Sequence, residues 1–139
     1  MKNKGFTLFE TIVVLLLTSL ILIISICISK NTQKTLVEEQ YMQNLTETMN
    51  TLLIEGKNKR QAVVFQFGRN EASCYIGGKY IHRPYPNSLT VYGYKYIWVS
   101  YKGMTKPQTI EIVEKNHRYS YRIIYELSFG GVFRVEKSN

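Results

Sequence analysis

Hydrophobic and polar positions fall into three regimes along the chain. From Phe6 to Ser29 the pattern is almost continuously apolar, 24 residues with Glu10 as the only charge. At about 1.5 Å per residue, a helix of that length covers roughly 36 Å, enough to cross a bilayer. Beyond Ser29 the pattern becomes amphipathic. Val37, Tyr41, Leu45, Met49 and Leu52 or Leu53 recur every three to four residues among Lys34, Glu38, Glu39, Glu47 and Glu55. No proline precedes Pro84 and no glycine lies between Gly5 and Gly56, so the two regimes predict one helix from Phe6 to about Glu55, with Gly56 as its stop. The stripe at 37 to 53 is the face that would pack on the rest of the fold.

The third regime, from Gly56 onward, is strand-like. Runs at 62–67, 73–82, 89–92, 94–101, 109–115 and 118–135 are rich in β-branched and aromatic residues. Gly77-Gly78 and Gly130-Gly131 each sit between such residues, a hairpin signature. Near the C-terminus Tyr119, Tyr121, Ile123, Tyr125 and Leu127 alternate with Arg118, Ser120, Arg122 and Glu126, with Ile124 the exception. These signals predict an α+β lollipop: a long N-terminal helix, membrane half plus amphipathic half, packed on a C-terminal antiparallel β-sheet.

Composition narrows the chemistry. The 139 residues have room for one modest folded domain, and all ten acidic residues are glutamates, so aspartate nucleophiles, aspartate pairs and aspartate-rich metal loops are excluded. Cys27 and Cys74 have no metal-ligand spacing, and the first falls in the apolar run, so both read as small apolar residues rather than a disulfide pair. Gly77-Gly78-Lys79 lacks the first glycine of a phosphate loop, and Tyr80 stands where Ser or Thr is needed. His82 and His117 are isolated, with no zinc or nucleophile-elbow motif around them. These residues predict no enzyme, no metal and no cofactor.

The N-terminus carries the sharpest signal. A cleavable secretory signal has a shorter apolar region ending in small residues, whereas the first alanine here is Ala62, so the segment reads as retained. Lys2 and Lys4 favour a cytoplasmic N-terminus, with Lys30 and Lys34 beyond the other end. A carboxylate within a membrane segment costs on the order of 2.5 to 3.5 kcal/mol at mid-membrane. Glu10 therefore either lies shallow enough to reach headgroups and water or has a partner.

The string Lys4-Gly5-Phe6-Thr7-Leu8-Phe9-Glu10, followed at once by the apolar run, resembles the class III signal of type IV pilins and pseudopilins. That resemblance implies a leader at 1–5, a transmembrane and filament-core helix at 6–29, its amphipathic extension at 30–55 and a globular head at 56–139. It implies that a membrane prepilin peptidase cuts between Gly5 and Phe6, methylates the new amino group and leaves 134 residues. It further implies that Glu10 of an incoming subunit pairs with the Phe6 amine of its neighbour, coupling extraction from lipid to docking. Opposite charges in a low-dielectric setting make such an attraction directional. Many major pilins carry a proline in the membrane half, and its absence here fits a minor pilin or pseudopilin.

Within that family, the segment HRPYPNSLTV (82–91), the Thr-Ile-Glu-Ile strand and the closing FGGVFRVEK look like competence minor pilins of Gram-positive bacteria. The resemblance implies a structural subunit of the transformation pilus, needed for DNA uptake. Its partners would be sibling major and minor pilins, the prepilin peptidase, and an assembly platform with a separate ATPase. The chain would be a single-pass membrane protein before assembly and a cell-surface pilus component after it. A DNA receptor at the pilus tip, or a subunit of a secretion or adhesion filament, remain alternatives.

Charge bears on the DNA question. Residues 56–139 hold 14 Lys and Arg against five Glu, whereas residues 30–55 hold two Lys against four Glu. Ten of the eleven tyrosines and Trp98 lie in the basic part. Phosphate neutralisation and base stacking are both open to such a surface, with Arg69, Lys79, Arg83, Lys95, Lys102, Arg118, Arg122 and Arg134 as candidate contacts. Core packing of the aromatics, and a basic face serving solubility or an anionic wall polymer, are equally open at this point.

Overall fold

With neither proline nor glycine between Leu8 and Gly56, nothing in that stretch interrupts a helical ladder. The computed structural model describes residues 8–126 and 132–138, with residues 26–31 as backbone only, and has a single helix there, α1 (Leu8–Lys59). Hydroxyls in its apolar half return to the helix's own carbonyls. Thr11 Oγ1 donates to Leu8 O at 2.7 Å, Ser19 Oγ to Leu16 O at 2.8 Å and Ser25 Oγ to Ile21 O at 2.9 Å, so these side chains need no water.

The helix does not stop at Gly56. It ends one turn later in a Schellman cap: Gln61 N–H donates to Gly56 O at 2.8 Å and Arg60 N–H to Lys57 O at 3.3 Å, with Arg60 left-handed at φ 53°. Gly56 serves a close approach instead. A Cβ there would lie 2.6 Å from Val63 Cγ2 and 2.9 Å from Gln61 O, so its missing side chain lets the chain fold back into the first strand.

The chain divides into two compact units, Met1–Leu36 and Val37–Asn139. In the first, every described side chain from Leu8 to Ser25 is exposed. By length and composition that segment can cross a membrane.

The second unit contains the strands β1 (Val63–Phe67), β2 (Glu71–Ile76), β3 (Lys79–Pro84), β4 (Leu89–Thr90), β5 (Lys95–Val99), β6 (Gln108–Glu114), β7 (Ser120–Tyr125) and β8 (Phe133–Ser138). All pairings are antiparallel, which gives the expected α+β arrangement. The strands form two four-stranded sheets rather than one, ordered β3-β2-β1-β5 and β4-β6-β7-β8. The division arises because β4 leaves the first sheet to pair with β6, and β5 returns to pair with β1. Gly77 and Gly78, both at positive φ (53° and 86°), make the two-residue turn between β2 and β3. The Gly130-Gly131 hairpin and Leu127 lie outside the described residues, although the strands on either side pair from Ser120↔Ser138 to Tyr125↔Phe133.

One core joins these elements. Phe65, Phe67, Cys74, Ile97, Ile110, Ile112, Ile123 and Tyr125 from the strands meet Met42, Leu45, Met49 and Leu52 from α1. The buried stripe on the helix is the expected one at Leu45, Met49 and Leu52, but its first turns differ: Val37 is exposed, and Glu38 and Met42 are buried where Val37 and Tyr41 were expected. A 38-42-45-49-52 stripe keeps the helical period, and Tyr119, just before β7, meets the carboxylate that this brings inside.

Candidate functional site

The candidate residues fall in two regions, the N-terminal helix and the solvent face of the head. Gly5 and Phe6 lie outside the described residues. Glu10 stands in the first turn of α1, where a carboxylate is favoured by the positive end of the helix dipole. Around it Leu8, Phe9, Ile12 and Val13 are all exposed. Such a surface is stable only when lipid or the helices of other subunits cover it.

The eight candidate basic residues do not converge. Lys79 and Arg83, on the edge strand β3, line a groove with Glu47, Thr48 and Glu55 of α1. There the Arg83 guanidinium reaches Thr48 Oγ1 at 3.3 Å and the Arg83 carbonyl accepts from the Tyr41 hydroxyl at 3.0 Å. Arg122 and Arg134 lie on the outer face of the second sheet among carboxylates. Arg134 bonds Glu126 at 3.2 Å and Glu136 at 3.0 Å, while Arg122 is registered between Glu111 and Glu136 and donates to Ser138 Oγ at 2.7 Å. The charge of Arg134 is thus paired with carboxylates locally. Arg69 sits in the β1–β2 turn, where its carbonyl accepts from Thr90 Oγ1 at 3.0 Å. Arg118 lies in the β6–β7 turn, Lys102 after β5 with its ammonium 5.8 Å from the Tyr101 ring centre, and Lys95 at the start of β5.

The aromatic residues divide sharply. Tyr85, Tyr121 and Tyr125 are buried, and burial pushes the phenol pKa of each above its ordinary value. Tyr94, Tyr96 and Trp98 are instead 62%, 63% and 52% exposed. Register places Trp98, Val64, Tyr75 and Tyr80 in one row across the outer face of the first sheet, with Tyr96, Gln66, Ser73 and His82 in the next. Beside β5, the segment before β6 closes a groove of about 790 Å³ that also includes Met104, Lys106 and Gln108. The Gln108 amide holds that wall by donating to Tyr96 O at 3.3 Å. Sequence reasoning did not find this face. A signal was present: in Tyr94-Lys95-Tyr96-Ile97-Trp98-Val99 the aliphatic Ile97 and Val99 take the core, which sends the aromatics outward.

Two buried carboxylates were also unforeseen. Glu38 Oε2 accepts a hydrogen bond from the Tyr119 hydroxyl, and the Tyr119 pKa is raised by burial and then by that bond. Next to it Lys137 lies 4.8 Å over the Tyr119 ring and bonds Glu39 Oε1 at 3.1 Å. Burial lowers the Lys137 pKa, but the bond to Glu39 and the neighbouring Tyr121 together outweigh it and the net shift is upward. Glu114 Oε2 accepts from Asn116 N–H at 2.9 Å and Arg118 N–H at 3.4 Å, ordering the β6–β7 turn in which His117 is left-handed at φ 57°. Among the described residues no three His, Cys or Glu side chains converge as a metal site would require.

Comparison with known protein families matches residues 1–26 to the prokaryotic N-terminal methylation motif. No curated protein and no solved structure matches the chain. The matched segment contains Gly5, Phe6 and Glu10 and runs into the exposed apolar part of α1, and it supports a protein of the type IV pilin or pseudopilin type. Proteins of that type are processed by a prepilin peptidase and assemble with other pilins.

Proposed function

We propose that this chain is a minor pilin of the competence type IV pilus, a structural subunit required for pilus assembly and for uptake of exogenous DNA. The observation that carries the reading is the methylation motif at residues 1–26 together with a helix whose described apolar side chains from Leu8 to Ile24 are all exposed. Before assembly that helix lies in the cell membrane with its N-terminus cytoplasmic. After cleavage at Gly5 it joins the filament, with Glu10 meeting the Phe6 amine of a neighbouring subunit. Energy for extension and retraction comes from a separate ATPase, and the chain itself is not an enzyme.

The competence role rests on the likeness of residues 62–137 to the D subunit of the ComG apparatus of Gram-positive bacteria, in the order and spacing of the HRPYPNSLTV, Thr-Ile-Glu-Ile and FGGVFRVEK segments. The test is DNA uptake by the host after in-frame deletion, with complementation by the intact gene. Loss of uptake that complementation restores is the expected result. Normal uptake would overturn the competence role and move the same subunit to a secretion or adhesion filament.

A further inference from the structure

We propose that the end of the head at which α1 terminates is a binding site for duplex DNA, which it holds by the phosphate backbone through Lys57, Arg60, Lys79 and Lys102. This rests on the DNA-uptake reading above and deepens it by assigning the contact to one place.

Strand register brings three segments together there. Val63 opens β1 and pairs with Ile76, the last residue of β2, on one side and with Val99, the last residue of β5, on the other. The last turn of α1 leads into β1, so residues 55–61, the β2–β3 turn and the turn after β5 meet at one end of the first sheet. Side chains join them. Gly77 lies against the Gln61 amide, and Lys57, Gln61 and Lys102 line one hollow of about 180 Å³.

The charge at this end is almost all of one sign. Lys79 and Lys102 were legible as candidate contacts, and the structure adds Lys57, Lys59 and Arg60; all five are exposed. Glu55 is the only carboxylate in the three segments, and Lys59 bonds it at 2.6 Å. That bond holds the Glu55 carboxyl below its ordinary value, and the field of Lys79 adds to the effect. Lys57, Arg60, Lys79 and Lys102 are left without a carboxylate partner among the described residues. A helix C-terminus is ordinarily a poor place for an anion, because its last carbonyls carry negative partial charge. Here Gly56 O and Lys57 O accept from the N–H groups of Gln61 and Arg60 in the cap, so the basic side chains dominate.

These residue types select phosphates rather than bases. Tyr101 is the only aromatic residue in the three segments, and the Lys102 ammonium lies 5.8 Å from its ring centre, so no row of open rings is offered for stacking. Lysine ammoniums are point charges that position a backbone without reading base edges. A duplex turns its phosphates outward and hides its bases between the strands. The turns that follow β2 and β5 are two strand spacings apart, about 10 Å. A duplex carries one charge per about 1.7 Å of its axis, so that width faces about six of them.

The experiment measures binding of a labelled duplex of about 20 base pairs to the full chain in non-ionic detergent, by fluorescence anisotropy. Four phosphate contacts predict that affinity falls about 150-fold between 50 and 200 mM salt. The triple variant Lys57→Gln, Lys79→Gln, Lys102→Gln keeps one contact, and its affinity should fall only about 3- to 4-fold over the same range. Removing the same charge elsewhere in the head, with Lys95→Gln, Lys106→Gln and Lys115→Gln, should leave the steep dependence in place. Inorganic polyphosphate at equal phosphate concentration should bind more weakly, because a flexible chain must be ordered to follow a fixed array and a duplex is already stiff.

Equal losses in the two triple variants would show that net charge, and not this site, holds the DNA. An unchanged salt dependence in the first triple variant would place the contact elsewhere and overturn the site. Polyphosphate binding as tight as the duplex would overturn duplex DNA as the occupant. Failure of the full chain to bind duplex at 50 mM salt would overturn the site even where deletion of the chain abolishes uptake. Normal uptake in the deletion strain, beside duplex binding that depends on these lysines, would overturn the competence role and leave the site standing.

Discussion

Tyr119 donates its phenolic hydrogen to the buried carboxylate of Glu38, a residue 81 positions earlier in the chain. The bond links α1 to the end of the β6–β7 connection through a polar contact inside an otherwise apolar stripe. A buried charged acceptor that loses a donor loses more than a neutral one does. Tyr119→Phe should therefore lower the stability of the head by about 1–3 kcal/mol. Urea unfolding of wild type and variant, followed by far-UV circular dichroism, reads this as a lower midpoint at constant slope. An unchanged midpoint would mean that the contact adds no net stability.

Alkaline conditions should unfold the head before they do anything subtler. Burial pushes the phenols of Tyr41, Tyr85 and Tyr125 above their ordinary value and the Cys74 thiol up to about 11. A group whose folded pKa is raised contributes stability that is fully present below its unfolded pKa, 9 for the thiol and 10 for the phenols. That contribution is lost as pH climbs through the higher folded values, because the unfolded chain releases its protons first. Thermal melts should be flat up to about pH 9 and fall steadily above it. In a Cys27→Ser background Cys74 should resist thiol reagents at pH 8 until denaturant is added, and rapid reaction in the native protein would contradict its burial.

Gly56→Ala sets two effects against each other. Alanine is favoured over glycine inside a helix by about 1 kcal/mol. The new methyl group would lie 2.6 Å from Val63 Cγ2 and 2.9 Å from a backbone oxygen that cannot move away freely. Overpacking of that kind costs about 1–3 kcal/mol, so the net effect should be destabilising. A raised melting temperature would show that the chain at Gln61–Val63 yields easily.

At the N-terminus the expected outcomes concern processing and assembly. Gly5→Ala should leave part or all of the protein uncleaved, read by mass spectrometry of the N-terminal peptide. An unaltered mature N-terminus would count against cleavage at that bond. Glu10→Val should insert into the membrane and yet enter filaments poorly, since the carboxylate proposed to meet the neighbour's amine is gone. Normal incorporation would show that this pairing is dispensable.

Most of the linear organisation was legible from residues alone. An unbroken apolar run has one solution, a helix, and the string Lys4–Glu10 ahead of it is specific enough for the methylation motif to be read residue by residue. Strand positions were legible as well, because period-two alternation and Gly77-Gly78 are local signals that depend only on nearby side chains.

Tertiary structure alone decided what depends on distant partners. Nothing local tells β4 to pair with β6, or β5 with β1, since both pairings bridge segments far apart in the chain. One sheet was therefore expected where two exist. Glu38 lies in the core, where Tyr119 meets it from 81 positions further along the chain, and charge by itself assigned it to the solvent face. Arg134 became an ion-paired residue, Arg122 came to lie in register between Glu111 and Glu136, and Tyr96 and Trp98 became an open face, once the sheets had chosen their neighbours. Sequence determined which segments form helix and strand, because those choices are local. Which side chains are left facing outward was decided by packing, because burial is shared among residues from distant parts of the chain.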